Sequence, residues 1–418
     1  MTSETTRSTA GTPSTQDPRE WLELTEYREV EEVLRRGREF LTGGGPAESE
    51  DVHVSLVAID GREHLARRRA LMRMINPSRP WGAEGTLIDE VFAEDMARLR
   101  AGVEPVDGLV HFDLVEFLRG IIWRFTAKFV GIDGIDDQEQ TARFVALAVP
   151  LVNGIAIEYV PEDRRDEARE QARRARAVIR EDLFLPSLER RRALVDAGTP
   201  DDELPGDLLT SLLQAGASDE LIFTEAVQLL AASVNNPVLQ STLAVDDLLR
   251  WLESHPADRA RIGERDFLNA AVKETLRLHR ATRPYLTRRA ATDVTLASTG
   301  RFVPQGTWIA GYLMDADHDP SVFGDDAHEY DPHRTLADPE VARFGLAFGA
   351  GPHVCIGRPM LLWEQGDERA QGVQTKVLRF LLESGVRADP DGQHPMTGER
   401  GSHRFTRYDV VVPADPAS

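Results

Sequence analysis

From Asp219 to about Glu253 the chain reads as a single helix, with Leu229, Leu230, Val234, Leu239 and Leu243 recurring at helical spacing. A helix of that length is too long to lie on a surface like an ordinary one, so the rest of the molecule has to be arranged around it. Pro237 sits in its middle. Proline brings no N–H for the carbonyl four residues back, which leaves the Ser233 carbonyl free and kinks the helix. Other segments are also helical in pattern: an amphipathic helix within Trp21–Leu41 (Val30, Val33, Leu34), and most of 80–192, with Phe117, Ile121, Phe125, Phe129 and Val130. The segment from Pro284 to Leu296 reads as strand with turn signals. Residues 1–18 are rich in Ser, Thr, Pro and Gly, with no large apolar residue after Met1, and are expected to form a disordered tail. No repeat or later linker divides 19–418, so one large domain is expected there.

The 418 residues contain one cysteine, Cys355, in the run Phe348-Gly-Ala-Gly-Pro-His-Val-Cys-Ile-Gly357. A lone cysteine usually ends as a small buried hydrophobe. Here Gly349, Gly351 and Gly357 surround it, and glycine lets a backbone pass close to a flat group where a Cβ would collide. A thiolate is also a soft, strongly donating metal ligand. Earlier in the chain His64 and Arg68 stand four apart, on one helical face, where both could bind a carboxylate. A plain basic surface helix would show the same spacing. Glu274 and Arg277, three apart, make an ion-pair candidate.

The cysteine run resembles the ligand loop of cytochromes P450, Phe-x-x-Gly-x-x-x-Cys-x-Gly, as Phe348, Gly351, Cys355 and Gly357. The resemblance extends in order over roughly residues 20–415. It implies a mainly α fold with small β-sheets, a single domain enclosing haem b. On this reading Cys355 ligates the iron; an axial thiolate pushes electron density that favours O–O cleavage, the behaviour for which this family is known. Phe348 packs beside the sulfur, Gly349 and Gly357 admit the macrocycle, and His64, Arg68, Arg288 and His353 hold the propionates. Glu274, Arg277 and Arg334 form a structural ion-pair set. The apolar stretch Phe144–Tyr159, interrupted by Pro150 and Gly154, corresponds to the lid over the substrate. Val152–Tyr159, the Thr42–Ser55 loop, Tyr285, Leu286 and the Arg404–Thr406 turn are expected to shape the pocket, with Val152, Ile155 and Phe405 among its walls.

Two departures stand out. Oxygen-activating relatives carry an acid and an alcohol on the central helix, which organise the water that delivers protons. Here the stretch is Ala232-Ser-Val-Asn235-Asn236-Pro237. Ala232, Asn235 and Asn236 line the distal face, but a carboxamide does not titrate near neutral pH and cannot act as the general acid–base. A monooxygenase with its relay in substrate or ordered water is expected. A peroxide-dependent, isomerase-, dehydratase- or coupling-type enzyme is the alternative, and a non-catalytic haem protein a second. Asn236 could equally do no more than cap the kink at Pro237. Beyond Cys355, Gly357-Arg-Pro359-Met-Leu-Leu-Trp-Glu364 stands where relatives show Gly-x-x-Leu-Ala-Arg-x-Glu.

With 49 basic against 70 acidic residues the net charge is −21, which argues against nucleic-acid binding. The chain has no apolar run of transmembrane length and no leader pattern, so a cytoplasmic protein without a membrane anchor is expected. Arg62, Arg67, Arg69 and Arg73 make a local basic patch, either a solvated helix face or a dock for an acidic ferredoxin. No fused flavin or nicotinamide domain is expected. The family then implies electrons from NAD(P)H through a separate ferredoxin reductase and ferredoxin, spent on a hydrophobic small molecule, a secondary-metabolite intermediate.

Overall fold

A computed structural model describes residues 21–42, 55–72, 87–155, 157, 160–280, 284–362, 372–399 and 402–415. The expected tail 1–18, the interior of the Thr42–Ser55 loop, Arg73, Tyr159 and Glu364 lie outside them. In chain order come β1 (Leu22–Leu24), α1 (Tyr27–Arg35), β2 (Phe40–Leu41), α2 (Gly61–Met72), α3 (Leu87–Gly102), β3 (Leu109–Asp113), α4 (Leu114–Val130) and α5 (Gln138–Ile155). Next are α6 (Arg165–Val178), α7 (Leu185–Asp196), α8 (Leu208–Gln214), α9 (Asp219–Ser254) and α10 (Arg265–Leu278). Then β4 (Tyr285–Ala290), β5 (Val294–Thr295), β6 (Phe302–Val303), β7 (Trp308–Tyr312), α11 (Leu313–Asp317), α12 (Pro320–Phe323) and α13 (Arg358–Leu361) follow. The chain closes with α14 (Val373–Glu383), β8 (Arg387–Ala388), β9 (Met396–Glu399), β10 (Ser402–Phe405) and β11 (Asp409–Pro413). The molecule is mainly α with small sheets, as the sequence led one to expect.

The α9 helix is the axis. Its start is set chemically: Ser218 Oγ accepts from Leu221 N at 3.3 Å, and Asp219 and Glu220 place negative charge at the positive end of the helix dipole. It packs against α4, α5, α8, α10 and α14, and the turns 222–227 and 240–246 are buried throughout. Pro237 lies inside the helix without ending it. One large apolar core joins α3, α4, α9, α10 and α14, with Trp123 and Phe267 among its buried side chains. A second, smaller core lies between α1 and the four-stranded sheet β1-β7-β4-β2. In that sheet β4 runs antiparallel to β7, Arg288 opposite Ile309, and antiparallel to β2, Ala290 opposite Phe40.

Behind the cores, Glu274 sits between two guanidiniums. Arg277 donates to it at 2.7 and 3.0 Å, and Arg334 at 2.8 Å. Arg334 also donates to Asp326 Oδ1 at 2.6 Å, and further donors of both arginines reach the carbonyls of Asp317, Phe323 and Ala327. Buried charge survives only when paired and hydrogen-bonded in this way.

Candidate active site

The cysteine lies in a loop whose backbone does the positioning. Gly349 (φ +69°) and Gly351 (φ +67°) take left-handed conformations. Cys355 N donates to the Phe348 carbonyl at 2.8 Å, which folds the loop back on itself. The sulfur then accepts from the N–H groups of Gly357 and Arg358, at the start of α13, whose first turn holds Pro359. Phe348 is buried and packs edge-on against Phe344, 5.4 Å between centroids. A Cβ on Gly351 would fall 2.4 Å from the Leu34 carbonyl oxygen, so this glycine is required by the end of α1, independently of any cofactor. Added Cβ atoms at Gly349 and Gly357 would meet only ordinary contacts, the nearest being Leu286 Cδ1 at 3.5 Å and Cys355 Sγ at 3.7 Å.

Cys355 is exposed, yet burial pushes its thiol pKa up, against the opposing pull of the Gly357 N–H, Arg68 and Arg358. Both statements hold if the sulfur opens on an interior recess. The central helix gives the same sign. Ala232, Asn235 and Asn236 are exposed although the turns on either side of them are buried all round. Exposed positions between two fully buried stretches of one helix are what an internal space beside it would leave.

Cationic groups gather near the sulfur. His64 is buried on α2, and its ring lies over that of His353, 4.0 Å between centroids at 30°. Burial, His353 and Arg68 together lower the His64 pKa to about 4, so it is neutral at physiological pH. Arg288 is buried on β4, its pKa lowered by burial to about 10; Arg68, half-buried, is lowered by burial too, and the Cys355 charge opposes this. Asp60 supplies the local carboxylate, already occupied by His353 Nε2 at 2.9 Å and by Thr42 N and Oγ1 at 3.1 and 2.8 Å. Neither Arg68 nor Arg288 has a carboxylate within ion-pair distance among the described residues. Two desolvated guanidiniums without counter-ions, beside a thiol that opens on a recess, fit the two propionates and the iron of a haem.

Other expected residues are more dispersed. Leu286 approaches the loop at Gly349, whereas the Tyr285 ring packs against Trp21 (6.0 Å) and Tyr312 (5.3 Å). Val152 and Phe405 are buried, Phe405 edge-on against Tyr408, and Ile155 is half-buried at the end of α5. Of the basic patch, Arg62 and Arg69 are exposed, but Arg67 turns to Glu63 and, across to α9, to the buried Glu225. Sequence reading missed two residues. They are Asp60, four before His64, and Gln228, four before Ala232 and seven before Asn235; spacing alone singles out neither.

Residues 229–364 match the family model described as Cytochrome P450. The chain is 32% identical over 222 residues to the mycinamicin VIII C21 methyl hydroxylase of Micromonospora griseorubida, covering 51% of this chain and 53% of that one. It is 26% identical over 311 residues to cytochrome P450 BJ-1 of Bradyrhizobium diazoefficiens, covering 72% and 67%. Against several curated relatives the match thus spans about half of their length or less: 53% for the Micromonospora hydroxylase, 30% for the pisatin demethylase of Fusarium vanettenii and 18% for the self-sufficient cytochrome P450 monooxygenase CYP505E3 of Phanerodontia chrysosporium. Among solved structures, CYP109E1 from Bacillus megaterium in complex with corticosterone superposes with a TM-score of 0.69 at 19% identity, over 96% of this chain and 95% of that one. P450BioI in complex with an acyl carrier protein bearing hexadec-9Z-enoic acid gives 0.67 at 17%, over 93% and 92%.

Proposed function

We propose that the chain is a cytochrome P450, a reading supported by its match to that family model over residues 229–364, and that it is a haem-thiolate monooxygenase acting on a largely apolar small molecule of secondary metabolism. The observation that carries this reading is the Cys355 sulfur, accessible but desolvated, held by two backbone N–H groups and lying within the field of Arg68. When bound, haem b supplies the redox chemistry and the oxygen-binding metal. The chain does the rest. The Gly357 and Arg358 N–H groups stabilise the sulfur as thiolate and fix its direction. Arg68 and Arg288, with the neutral His64 as donor, take up the propionates, and Asp60 holds the His353 ring in place. On the distal side Asn235 and Asn236 can hold and orient water but cannot move a proton by titration. Protons therefore come from solvent or from the substrate.

The methyl-hydroxylase activity named for the Micromonospora relative supports an oxygenase of a natural-product intermediate. Electrons would come from NAD(P)H by way of a separate ferredoxin reductase and ferredoxin, with Arg62 and Arg69 as the exposed members of the docking patch. No helix among the described residues is long and apolar enough to cross a membrane. The missing acid–alcohol pair favours a second reading, a peroxide-driven enzyme. Cys355→Ser should abolish the thiolate-type reduced-carbonyl band while haem is still bound, and a variant that keeps the band would remove Cys355 as ligand. Turnover of a spin-shifting compound with redox partners under oxygen, compared with hydrogen peroxide alone, separates the two readings: product only with partners supports the monooxygenase.

A further inference from the structure

Two buried side chains that the reaction does not use take hold of one short piece of backbone. Asp317, the last residue of α11, is fully buried, and its Oδ1 accepts from the Leu346 N–H at 2.7 Å. Arg280, just past the end of α10, is buried as well and donates to the Ala347 carbonyl at 3.3 Å. This piece of chain feeds the cysteine loop. The Leu346 carbonyl accepts from the Gly349 N–H at 2.7 Å, and the Phe348 carbonyl from the Cys355 N–H at 2.8 Å. The fit is close: Gly345 takes a left-handed φ of +57°, and a Cβ on it would fall 2.1 Å from Asp317 Oδ1. Asp317 Oδ2, by contrast, is buried without a hydrogen-bond partner among the described residues, and burial holds the carboxyl pKa well above its usual range. Such a desolvated acid costs stability, and an apolar side chain of the same shape would fill the space without that cost. What an apolar side chain could not supply is the acceptor for Leu346.

We propose that Asp317 is a positioning residue for Cys355: its Oδ1 on the Leu346 N–H, together with Arg280 on the Ala347 carbonyl, fixes the direction in which the loop presents its sulfur to the haem iron. The inference rests on the P450 reading and extends it to a residue outside the ligand loop. With the Leu346 N–H unheld, the turn at Gly349 loosens and the sulfur shifts with it. A thiolate misaligned with the metal takes a proton from solvent and is replaced by the neutral thiol.

The test compares haem-loaded wild type with Asp317→Asn, Asp317→Leu and Asp317→Ala. Two quantities are read: the ratio of thiolate to neutral-thiol forms in the reduced-carbonyl spectrum, taken in urea below the unfolding transition, and the urea midpoint by circular dichroism. Asn keeps an oxygen for the Leu346 N–H and should keep the wild-type ratio. Leu and Ala leave that N–H without an acceptor, and the ratio should fall about tenfold. Leu also removes a desolvated carboxyl while filling its space, so its midpoint should hold or rise. Ratio and stability then move apart, which a merely structural role does not allow. A wild-type ratio in Leu or Ala, an Asn variant as poor as Ala, or failure of both Leu and Ala to fold overturns the proposal. Absence of the thiolate form in wild type would instead be the failure of the haem-thiolate reading, visible before any variant is made.

Discussion

Glu32 shows how a single side chain can be tuned by its neighbours. Burial pulls its pKa up, but the Ala297 and Ser298 N–H groups, each at 2.8 Å, and Arg36 at 2.7 Å hold it down to about 2. The folded state thus binds the anion better than the unfolded chain, whose carboxyl titrates near 4.5. A lowered carboxyl pKa contributes stability that is present above 4.5 and lost as pH falls through 2. Glu32→Gln should therefore lower the urea midpoint at neutral pH, and the gap to wild type should close between pH 4.5 and 2; a gap that stays constant down to pH 2 would rule out this role. Single residues with strong chemistry were the most legible in the sequence. Cys355 announced itself by being alone among glycines. Asp60 did not, because its partner His353 is far along the chain and only folding brings the two together.

At the scale of elements, α9 was legible almost to its last residue, since a Ser cap, an acidic first turn and unbroken apolar spacing all lie in one continuous segment. Its exposed carboxamides, Asn235 and Asn236, stood out against a family pattern, but nothing local marked the half-buried Gln228. The ion-pair cluster that ties α10 to the segment after α12 was recognised as three residues. The structure adds Asp326, which belongs to a turn and follows no periodic pattern. Glu274→Gln would leave two buried guanidiniums short of a charge, and breaking such a pair costs about 3–5 kcal/mol. Chemical denaturation should read a loss of that order; a change below about 1 kcal/mol would show that Asp326 and the surrounding carbonyls suffice.

For the molecule as a whole, the fold class and the single axis were predictable, whereas the surface was not. Arg67 looked like part of a docking patch because its partner Glu225, 158 residues away, cannot be inferred from local sequence. The uncompensated guanidiniums of Arg68 and Arg288 carry a consequence for global stability. Without a bound anion Arg288 is a buried charge and Arg68 a half-buried one; on the proposed reading the haem propionates would pair with both, and the binding energy would add to that of the fold. Removing haem should lower the thermal midpoint by several degrees. Arg68→Gln should loosen haem, read by transfer to apomyoglobin, while leaving the apoprotein as stable as before or more so. An apoprotein weakened by the substitution as much as the loaded form would contradict this.

The glycine at position 351 has an implication for descent. Its missing side chain makes room for the Leu34 carbonyl, so the constraint on it comes from the wall behind the loop. A descendant that lost the prosthetic group but kept the fold would still be obliged to keep Gly351, and would be free to lose Cys355. Among such descendants the glycine would go on advertising a chemistry that had already been abandoned, and only the sulfur would tell the truth.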